Sequence, residues 1–248
     1  MIHKSKILGI PVTHSSYKDI EEYLLESGPK SRTVIDIVTM SFPMIGVYEK
    51  NLSYRKAINE SSVTLPDGIM MVWLSRLSKA RIKERISGPD FFRQFSKRAN
   101  LEKIGYFFLG STPEVLDKIQ NRLAQEFPDI KWCGGYSPPF NSWPEKEEEK
   151  IIKIVNSSKS DILWVGLTAP KQEIWVCRNK ARLHTRLVAS IGATFDFYAG
   201  TRKRAPQLMQ RLGFEWLFRI LQEPFRMGPR YLSAIPGFLR RWFNNKRN

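Results

Sequence analysis

The chain is poor in cysteine, and this excludes a disulfide framework. Cys133 and Cys177 are the only cysteines in 248 residues, and no CxxC or metal-type spacing occurs. Each lies in or near an apolar segment, which is typical of reduced cysteines that pack inside a cytosolic protein. We therefore expect both thiols to be free and neither to hold a metal.

Long apolar runs are missing as well. No stretch of about 18 consecutive apolar residues occurs, so the sequence predicts no transmembrane helix. The first residues, MIHKSKILGIPVTHSS, contain too short an apolar run for a signal peptide. The location that these absences predict is the cytoplasm.

Several common catalytic motifs are also absent. The sequence has no Walker P-loop, no GxGxxG, no HExxH and no GxSxG element. His3, His14 and His184 are scattered, and such isolated histidines are usually packing or surface residues. No Asp-x-Asp pair is present to hold a divalent ion beside a nucleotide diphosphate, so we expect no metal and no other cofactor. Such an enzyme would need arginines or helix N-termini to stabilise phosphate charge.

Positive charge is abundant. The formal net charge is +16, and residues 202–248 contain eleven Lys or Arg against two Glu. This balance predicts an anionic partner, which could be nucleic acid, a membrane surface or a phosphorylated substrate. In residues 226–247 arginines alternate with aromatic and aliphatic residues, as at an interface with anionic lipid. A docked helix with simply solvated arginines is the alternative.

Residues 161–200 carry the clearest structural pattern. Residues 161–167 are predicted to form a strand buried on both faces, and Pro170 fits the first turn of a helix over 171–183. Residues 187–191 form the next predicted strand. Parallel strands place their carboxyl ends on one side, where ligands bind in open α/β sheets. We expect this crevice to gather five polar residues: Thr168, Lys171, Gln172, Glu173 and Asp196.

The remaining chain continues the alternation of strands and helices. Strands are predicted at 7–12, on a sheet edge, and at 34–38, 105–109 and 130–133. Helices are predicted at 16–27, 44–59, 69–77 and 91–99. Two more run from the turn at 110–114 to about 127 and from about 142 to about 157. The last is predicted at 207–223, and Pro224 ends it. From 101 to 192 the order is β-α-β-α-β-α-β, which predicts a parallel sheet with helices on both faces. In the helix at 207–223, Arg211, Glu215, Arg219 and Glu223 are spaced for pairing.

Polar residues mark several helix starts. Ser111 with Glu114, and Ser142 with Glu145, have the spacing of capping boxes. Asp67 precedes the helix at 69–77, where an aspartate commonly accepts backbone N–H bonds as an N-cap. A helix N-terminus also orients a carboxylate and lowers its pKa, so capping and catalysis are both open for Asp67. The basic run at 76–85 is typical of a solvated face.

Four blocks of sequence carry a family resemblance: LPDG…RISGPDF, WVGLTAPKQEIWVCRNKARL, IGATFDFYAGTRKRAP and MQRLGFEWLFRILQEPFR. In this order and spacing they resemble the WecG/TagA/CpsF glycosyltransferases (glycosyltransferase family 26), over most of the chain. The resemblance implies a GT-E fold, with a Rossmann-like α/β core at 1–200 and a C-terminal appendage at 201–248 that docks on membrane and core. It also implies an inverting hexosyltransferase that needs no metal.

The substrates implied by the resemblance are a UDP-sugar and a polyprenyl-diphosphate-linked saccharide, at the inner face of the bacterial membrane. The products belong to teichoic acid linkers, common antigen, capsule or exopolysaccharide. The donor sugar is left open among N-acetylmannosamine, its uronic acid, N-acetylglucosamine and a hexose such as glucose. The resemblance also leaves open whether the chain forms a homo-oligomer.

The resemblance assigns three catalytic positions. The family's general base matches Asp67, its active-site Thr matches Thr39, and the Arg before its S/T-G-x-D turn matches Arg85. The family usually has Asn two residues after the Thr, but this chain has Ser41, which puts a contact to the donor sugar in question.

Substrate-binding positions follow in the same way. Gln172 and its neighbour Lys171 belong to the PKQE block, and Asp196 is the Asp of FDF. The family's appendage arginines over the diphosphate match Arg219 and Arg226. A basic pair that commonly follows is Pro229-Arg230 here, so only Arg230 is a candidate.

These assignments are chemically consistent. A carboxylate at Asp67 can accept the proton of the attacking acceptor hydroxyl, and an inverting displacement needs one base. Arginines can stabilise the leaving UDP.

Two rival hypotheses remain. One is a basic nucleic-acid-binding protein, which the charge would suit although no such motif occurs. The other is a small-molecule-binding protein without catalysis. We expect no nucleic-acid partner.

Overall fold

A computed structural model describes residues 2–27, 33–76, 81–141 and 143–246. Its centre is a six-stranded sheet in the order β4-β3-β8-β7-β5-β6, and every neighbouring pair is parallel. The strands are β3 (Ile35–Met40), β4 (Val63–Pro66), β5 (Gly105–Gly110), β6 (Lys131–Tyr136), β7 (Ile162–Gly166) and β8 (Leu187–Ser190). The predicted Rossmann-like α/β class is confirmed.

The predicted edge strand at 7–12 is wrong. This segment is a hairpin of β1 (Lys4–Ile7) and β2 (Ile10–Thr13), which pair antiparallel and form a separate sheet. The turn between them is made by Leu8 and Gly9, both with positive φ. Apolar residues on both sides of Gly9 concealed this reversal.

Helices cover both faces of the six-stranded sheet. In chain order they are α1 (Tyr17–Ser27), α2 (Met44–Lys50), α3 (Leu52–Glu60), α4 (Ile69–Ser75), α5 (Gly88–Leu101), α6 (Pro113–Glu126), α7 (Glu145–Ser157), α8 (Lys171–Asn179), α9 (Thr194–Tyr198), α10 (Gln207–Arg211), α11 (Glu215–Gln222) and α12 (Pro224–Lys246). A 3₁₀ turn, Lys180–Arg182, ends the helix predicted at 171–183.

Strand β7 shows why the sheet needs both layers. Ile162 and Trp164 pack in one apolar cluster, with the helices α5 and α6, whereas Leu163 and Val165 pack in another, with α7 and α8. All four side chains are buried because alternate residues of a strand point to opposite faces. A continuous apolar run in the sequence is therefore what this position requires.

The predicted helix at 44–59 is two helices. Asn51 adopts an extended backbone, and its side chain accepts a hydrogen bond from the backbone N–H of Tyr54, which starts α3.

The predicted helix caps differ as well. Helix α6 is capped by Thr112, whose side chain accepts from Val115 N, so the predicted cap Ser111 is wrong by one residue. Ser142, the other predicted cap, lies outside the described residues, as does the part of the basic run at 77–80.

The C-terminal segment also differs from the prediction. The single helix expected at 207–223 is broken between α10 and α11, where Gly213 has a φ of 81°. As predicted, the helix ends just before Pro224, because α11 stops at Gln222. Pro224 then begins α12, which contains Pro229 and Pro236. In the part of the chain that the structure describes, no helix is long and apolar enough to cross a bilayer.

Helix α12 packs closely on α2. A Cβ atom at Gly46 would lie 2.6 Å from the carbonyl oxygen of Ser233, and one at Gly237 would lie 2.9 Å from Glu49 Cγ. Ala234 is fully buried between them. Small residues at the crossing let the two helices approach, and this contact brings the C-terminal segment over the carboxyl ends of the strands.

Candidate active site

A crevice opens at the carboxyl ends of β3, β4, β7 and β8. Residues that follow these strands line it, and α11 and α12 supply its outer wall. The lining includes Thr39, Ser41, Phe42, Asp67, Arg85, Ser111, Thr168, Gln172, Glu173, Asp196, Glu215, Trp216, Arg219, Arg226, Met227, Arg230 and Tyr231. This is the position that the topology of an open parallel sheet predicts for a ligand.

Asp67 follows β4 directly and reaches the crevice floor. Its backbone N–H donates to Met40 O at 2.9 Å, so the residue is tied to the end of β3. Thr39 is opposite Leu65 in the β3–β4 register. The N-cap of α4 is Gly68, which makes no side-chain cap. The carboxylate of Asp67 is therefore not used as the helix cap that its position suggested.

Burial raises the pKa of Asp67 to about 6. Removal from water disfavours the charged carboxylate, and Glu215 adds to the increase, whereas Arg219, Arg85 and Arg204 oppose it. A carboxyl group with this pKa is ionised at neutral pH but remains a useful proton acceptor. Such a group in a crevice is a candidate for catalysis.

Two arginines of the crevice have a guanidinium without a carboxylate partner. Arg219 on α11 lies over the ring of Phe197, 5.1 Å from its centroid. Arg230 on α12 is half-buried, and burial and the neighbouring Arg226 lower its pKa. Within the described residues neither makes an ion pair shorter than 4.0 Å, unlike Arg226, which donates to Glu223 at 2.8 Å. An anionic ligand in the crevice would give both guanidinium groups a partner.

Arg85 lines the crevice but is held by two carboxylates. Its Nη1 donates to Glu215 Oε2 at 2.7 Å, and its Nη2 donates to Asp90 Oδ2 at 3.1 Å. The same two carboxylates bind Arg204, whose Nη1 lies 2.6 Å from Asp90 Oδ1. Arg85 thus lines the crevice with both sides of its guanidinium engaged in a network of charges.

The structure brings most of the predicted site residues together. Thr39, Gln172 and Asp196 line the crevice with Asp67, Arg85 and the three appendage arginines. Asp196 also forms an ion pair with Arg202, at 3.4 Å.

Lys171 is an exception. Its Nζ lies 3.8 Å from the ring centroid of Trp143 and donates to Asn141 O at 3.0 Å, on the far side of α8. Adjacent helical residues point about 100° apart, so Gln172 faces the crevice and Lys171 does not. The prediction that Lys171 joins this crevice is wrong.

Glu173 and Gln172 form a buried pair in the wall of the crevice. Gln172 Nε2 donates to Glu173 Oε1 at 2.8 Å, and burial raises the pKa of Glu173 to about 7. Both side chains are only 2% exposed. Gln172 Oε1 and Glu173 Oε2 have no hydrogen-bond partner among the described residues, so the pair still offers polar atoms to a ligand.

Sequence reasoning missed Glu215, Trp216 and Tyr231 as crevice residues. Trp216 and Tyr231 pack against each other with ring centroids 6.0 Å apart. Glu215 does not pair along its own helix with Arg211 or Arg219, but with Arg85 and Arg204. Gly213 was the sequence signal that could have indicated these residues, because a turn there allows a new helix to begin at Glu215.

No group of three His, Cys, Asp or Glu suited to a metal ion occurs in residues 2–27, 33–76, 81–141 and 143–246. Cys133 and Cys177 are both free. The positive charge of the crevice comes from arginines.

Comparison with known proteins gives the family. The model of the Glycosyl transferase WecG/TagA/CpsF family matches residues 5–248. The chain belongs to this family. It is accordingly a glycosyltransferase of the hexosyl-transferring class, and the crevice that unites Asp67 with the arginines is its candidate active site.

Curated relatives of this chain have names that specify an acceptor and a transferred sugar. The proteins of Staphylococcus aureus strains MW2 and NCTC 8325 / PS 47 are each 27% identical over 237 residues. The match covers 95% of this chain and 91% of each relative. Both are named N-acetylglucosaminyldiphosphoundecaprenol N-acetyl-beta-D-mannosaminyltransferase.

Proposed function

We propose that this chain transfers a sugar from a UDP-sugar to a polyprenyl-diphosphate-linked saccharide, with inversion at the anomeric carbon and without a metal. The observation that carries the proposal is the meeting of Asp67, with its pKa of about 6, and the arginines of α11 and α12 in one crevice. A base and a cluster of cations are what this displacement requires. The reaction would serve cell-surface polysaccharide synthesis.

Asp67 acts as the general base. It accepts the proton of the acceptor hydroxyl as that oxygen attacks the anomeric carbon, and UDP leaves from the opposite face of the sugar. One base is enough for a single inverting displacement. Thr39, at the neighbouring strand end, lies where it can contact the reacting sugar.

Arginines stabilise the diphosphate as it leaves. Arg219 and Arg230 have no carboxylate partner in the described chain, so their N–H groups are available to phosphate oxygens. Arg226 can exchange its Glu223 contact for the same ligand. Guanidinium–phosphate hydrogen bonds are charge-assisted, and they strengthen as negative charge develops on the leaving group. Gln172 and Asp196 complete the donor side of the crevice.

The relatives favour a particular acceptor and sugar. Their name specifies N-acetylglucosaminyldiphosphoundecaprenol as acceptor and N-acetylmannosamine as the transferred unit. We propose the same acceptor class here. N-acetylmannosamine is the first donor sugar to test, with its uronic acid, N-acetylglucosamine and glucose as the others.

The exposed face of the C-terminal segment supports peripheral binding to the inner face of the membrane. Large apolar side chains are exposed there: Leu208, Leu212, Leu217, Leu221, Phe225, Leu232, Ile235, Leu239 and Phe243. Arginines lie among them, and an apolar face with basic residues suits anionic lipid. We propose residues 201–248 as a membrane-associating appendage on a core at 1–200, because the appendage also carries the diphosphate-binding arginines to the lipid-linked acceptor.

A donor screen tests the proposed function. Purified full-length protein is incubated with N-acetylglucosaminyl-diphosphate on a short polyprenyl chain and, in turn, with each of the four UDP-sugars. The expected result is release of UDP and one added sugar with one donor. If no UDP-sugar is consumed while a different nucleotide-sugar is, the proposed donor class is wrong.

A further inference from the structure

Four charged side chains form one network beside the crevice. Arg85 and Arg204 supply the positive charges, and Asp90 and Glu215 supply the negative ones. Arg204 Nη2 also donates to Asp90 Oδ2 at 2.8 Å, and its Nε donates to Glu215 Oε1 at 3.2 Å. The four side chains are only 15–32% exposed. Partly buried, charge-assisted hydrogen bonds of this kind fix geometry well.

The network joins three distant parts of the chain. Arg85 and Asp90 flank the start of α5, Arg204 lies in the loop before α10, and Glu215 is the first residue of α11. Ser87 strengthens the centre by donating to Asp90 Oδ2 at 2.6 Å and accepting from Arg204 Nη2 at 3.1 Å. The helix α11 is thereby tied at its N-terminus to the core.

Helix α11 needs this tie because its other side-chain contacts are partly exposed, among them Trp216 on Tyr231 and Arg219 over Phe197. It has eight residues, none of them buried, and Leu217 and Leu221 point to solvent. A helix this short is marginal without tertiary contacts. The preceding Gly213 packs tightly, since a Cβ there would lie 2.8 Å from Ile69 Cγ2. The anchor is therefore concentrated at the start of α11.

Arg219 is one helical turn beyond Glu215. Residues four apart lie on the same face of a helix. The face that presents Glu215 to Arg85 therefore also presents Arg219 to the crevice, which Arg219 lines together with Asp67. A rotation or shift of α11 would move both side chains together.

We propose that Glu215 and Arg204 are positioning residues, which hold α11 so that Arg219 stays beside Asp67 and over the leaving diphosphate. The catalytic part of this inference rests on the proposed function. Arg85 then serves mainly as the core's half of the anchor, since both sides of its guanidinium are engaged. Arg204 does not line the crevice, so it acts by holding α11 and, at longer range, by its charge on Asp67.

A double-mutant cycle tests the coupling. Glu215→Gln and Arg204→Gln should each lower kcat/KM by at least about tenfold, because a small displacement of a catalytic group has large effects on rate. In the Arg219→Gln background the further loss from either substitution should shrink to within about threefold, since the residue to be positioned is gone. Losses that multiply fully would overturn the positioning role. Glu149→Gln, which removes a surface ion pair with Arg182, is the matched control.

Hydrogen exchange gives a readout that does not depend on activity. Amides of α11 should exchange at least about tenfold faster in Glu215→Gln and Arg204→Gln, while those of α5 and α8 keep their wild-type rates. Unchanged exchange in α11 would show that the network does not hold the helix, and this overturns the inference. If α11 loosens but no variant or wild type transfers a sugar, the anchor stands and the proposed function fails.

Discussion

The guanidinium of Arg219, on α11, lines the same crevice as the carboxylate of Asp67, at the end of β4, and lowers its pKa. The two residues come from opposite ends of the chain and meet because α12 packs on α2. The proposed base therefore belongs to the core, and the charge that tunes it belongs to the C-terminal segment. The consequences of this arrangement can be measured separately.

The first consequence is a pH dependence. Because burial raises the pKa of Asp67 to about 6, kcat/KM should fall about tenfold per pH unit below that value and level off above it. Arg219 lowers this pKa, so Arg219→Gln should move the acid limb to higher pH as well as slow the reaction. Profiles from pH 5 to 8 measure both effects. An acid limb that stays in place in Arg219→Gln would contradict the contact between the two charges.

A second consequence concerns stability. Asp67 has a folded pKa of about 6 against an ordinary value of 3.8, so the folded state binds more protons between these values. Asp67 thus destabilises the fold progressively as pH rises from about 4 to 6. Asp67→Asn should therefore raise the free energy of unfolding at pH 7.5 by on the order of 1 to 3 kcal/mol, with little change at pH 4. Urea unfolding at both pH values checks this, and a less stable variant at pH 7.5 would refute it.

The exposed apolar face of the appendage leads to a third prediction. Phe225 is 95% exposed and Leu221 is 70% exposed, so a Leu221→Ser, Phe225→Ser double variant should fold normally. Each side chain is worth about 1.5–3 kcal/mol if it enters lipid, so binding to anionic vesicles should weaken at least about tenfold.

The matched control for the vesicle experiment lies on the core. Leu52 and Leu101 are 75% and 73% exposed, and Leu52→Ser with Leu101→Ser should leave vesicle binding unchanged. Equal loss in both double variants, or none in either, would show that the appendage is not the membrane-binding surface. Vesicle co-sedimentation measures all three proteins.

Treatment with a chelator gives a fourth prediction. If arginines alone stabilise the leaving diphosphate, EDTA should leave the initial rate unchanged. The measurement is UDP release with and without EDTA, followed by added magnesium. Strong inhibition that magnesium reverses would overturn the metal-free mechanism.

The sequence predicted the sheet better than the appendage. Strands such as β7 are recognisable because burial on both faces requires a continuous apolar run. The break at Gly213 was missed because apolar residues continue in helical spacing on both sides of it. The pairing of Glu215 was missed because its partners, Arg85 and Arg204, are close only after folding.

The site residues divide in a similar way. Gln172 lies in the first turn of the helix after β7, so the topology of a parallel sheet is enough to place it at the crevice. Asp67 follows β4, a strand that the sequence pattern did not predict, and only the family resemblance indicated its role. Lys171 was misplaced because membership of the PKQE block does not determine which face of α8 a side chain occupies. The resemblance to the WecG/TagA/CpsF family located Arg219 and Arg230, but the charges that hold α11 required the folded chain.

Turnover by Asp67→Asn tests the central claim most directly. Asn keeps the size of the side chain but cannot accept the proton, so UDP-sugar binding should be nearly unchanged while kcat falls at least about 100-fold at pH 7.5. Asp117→Asn, at an exposed position of α6, is the control and should match the wild type. A normal kcat in Asp67→Asn would contradict the account.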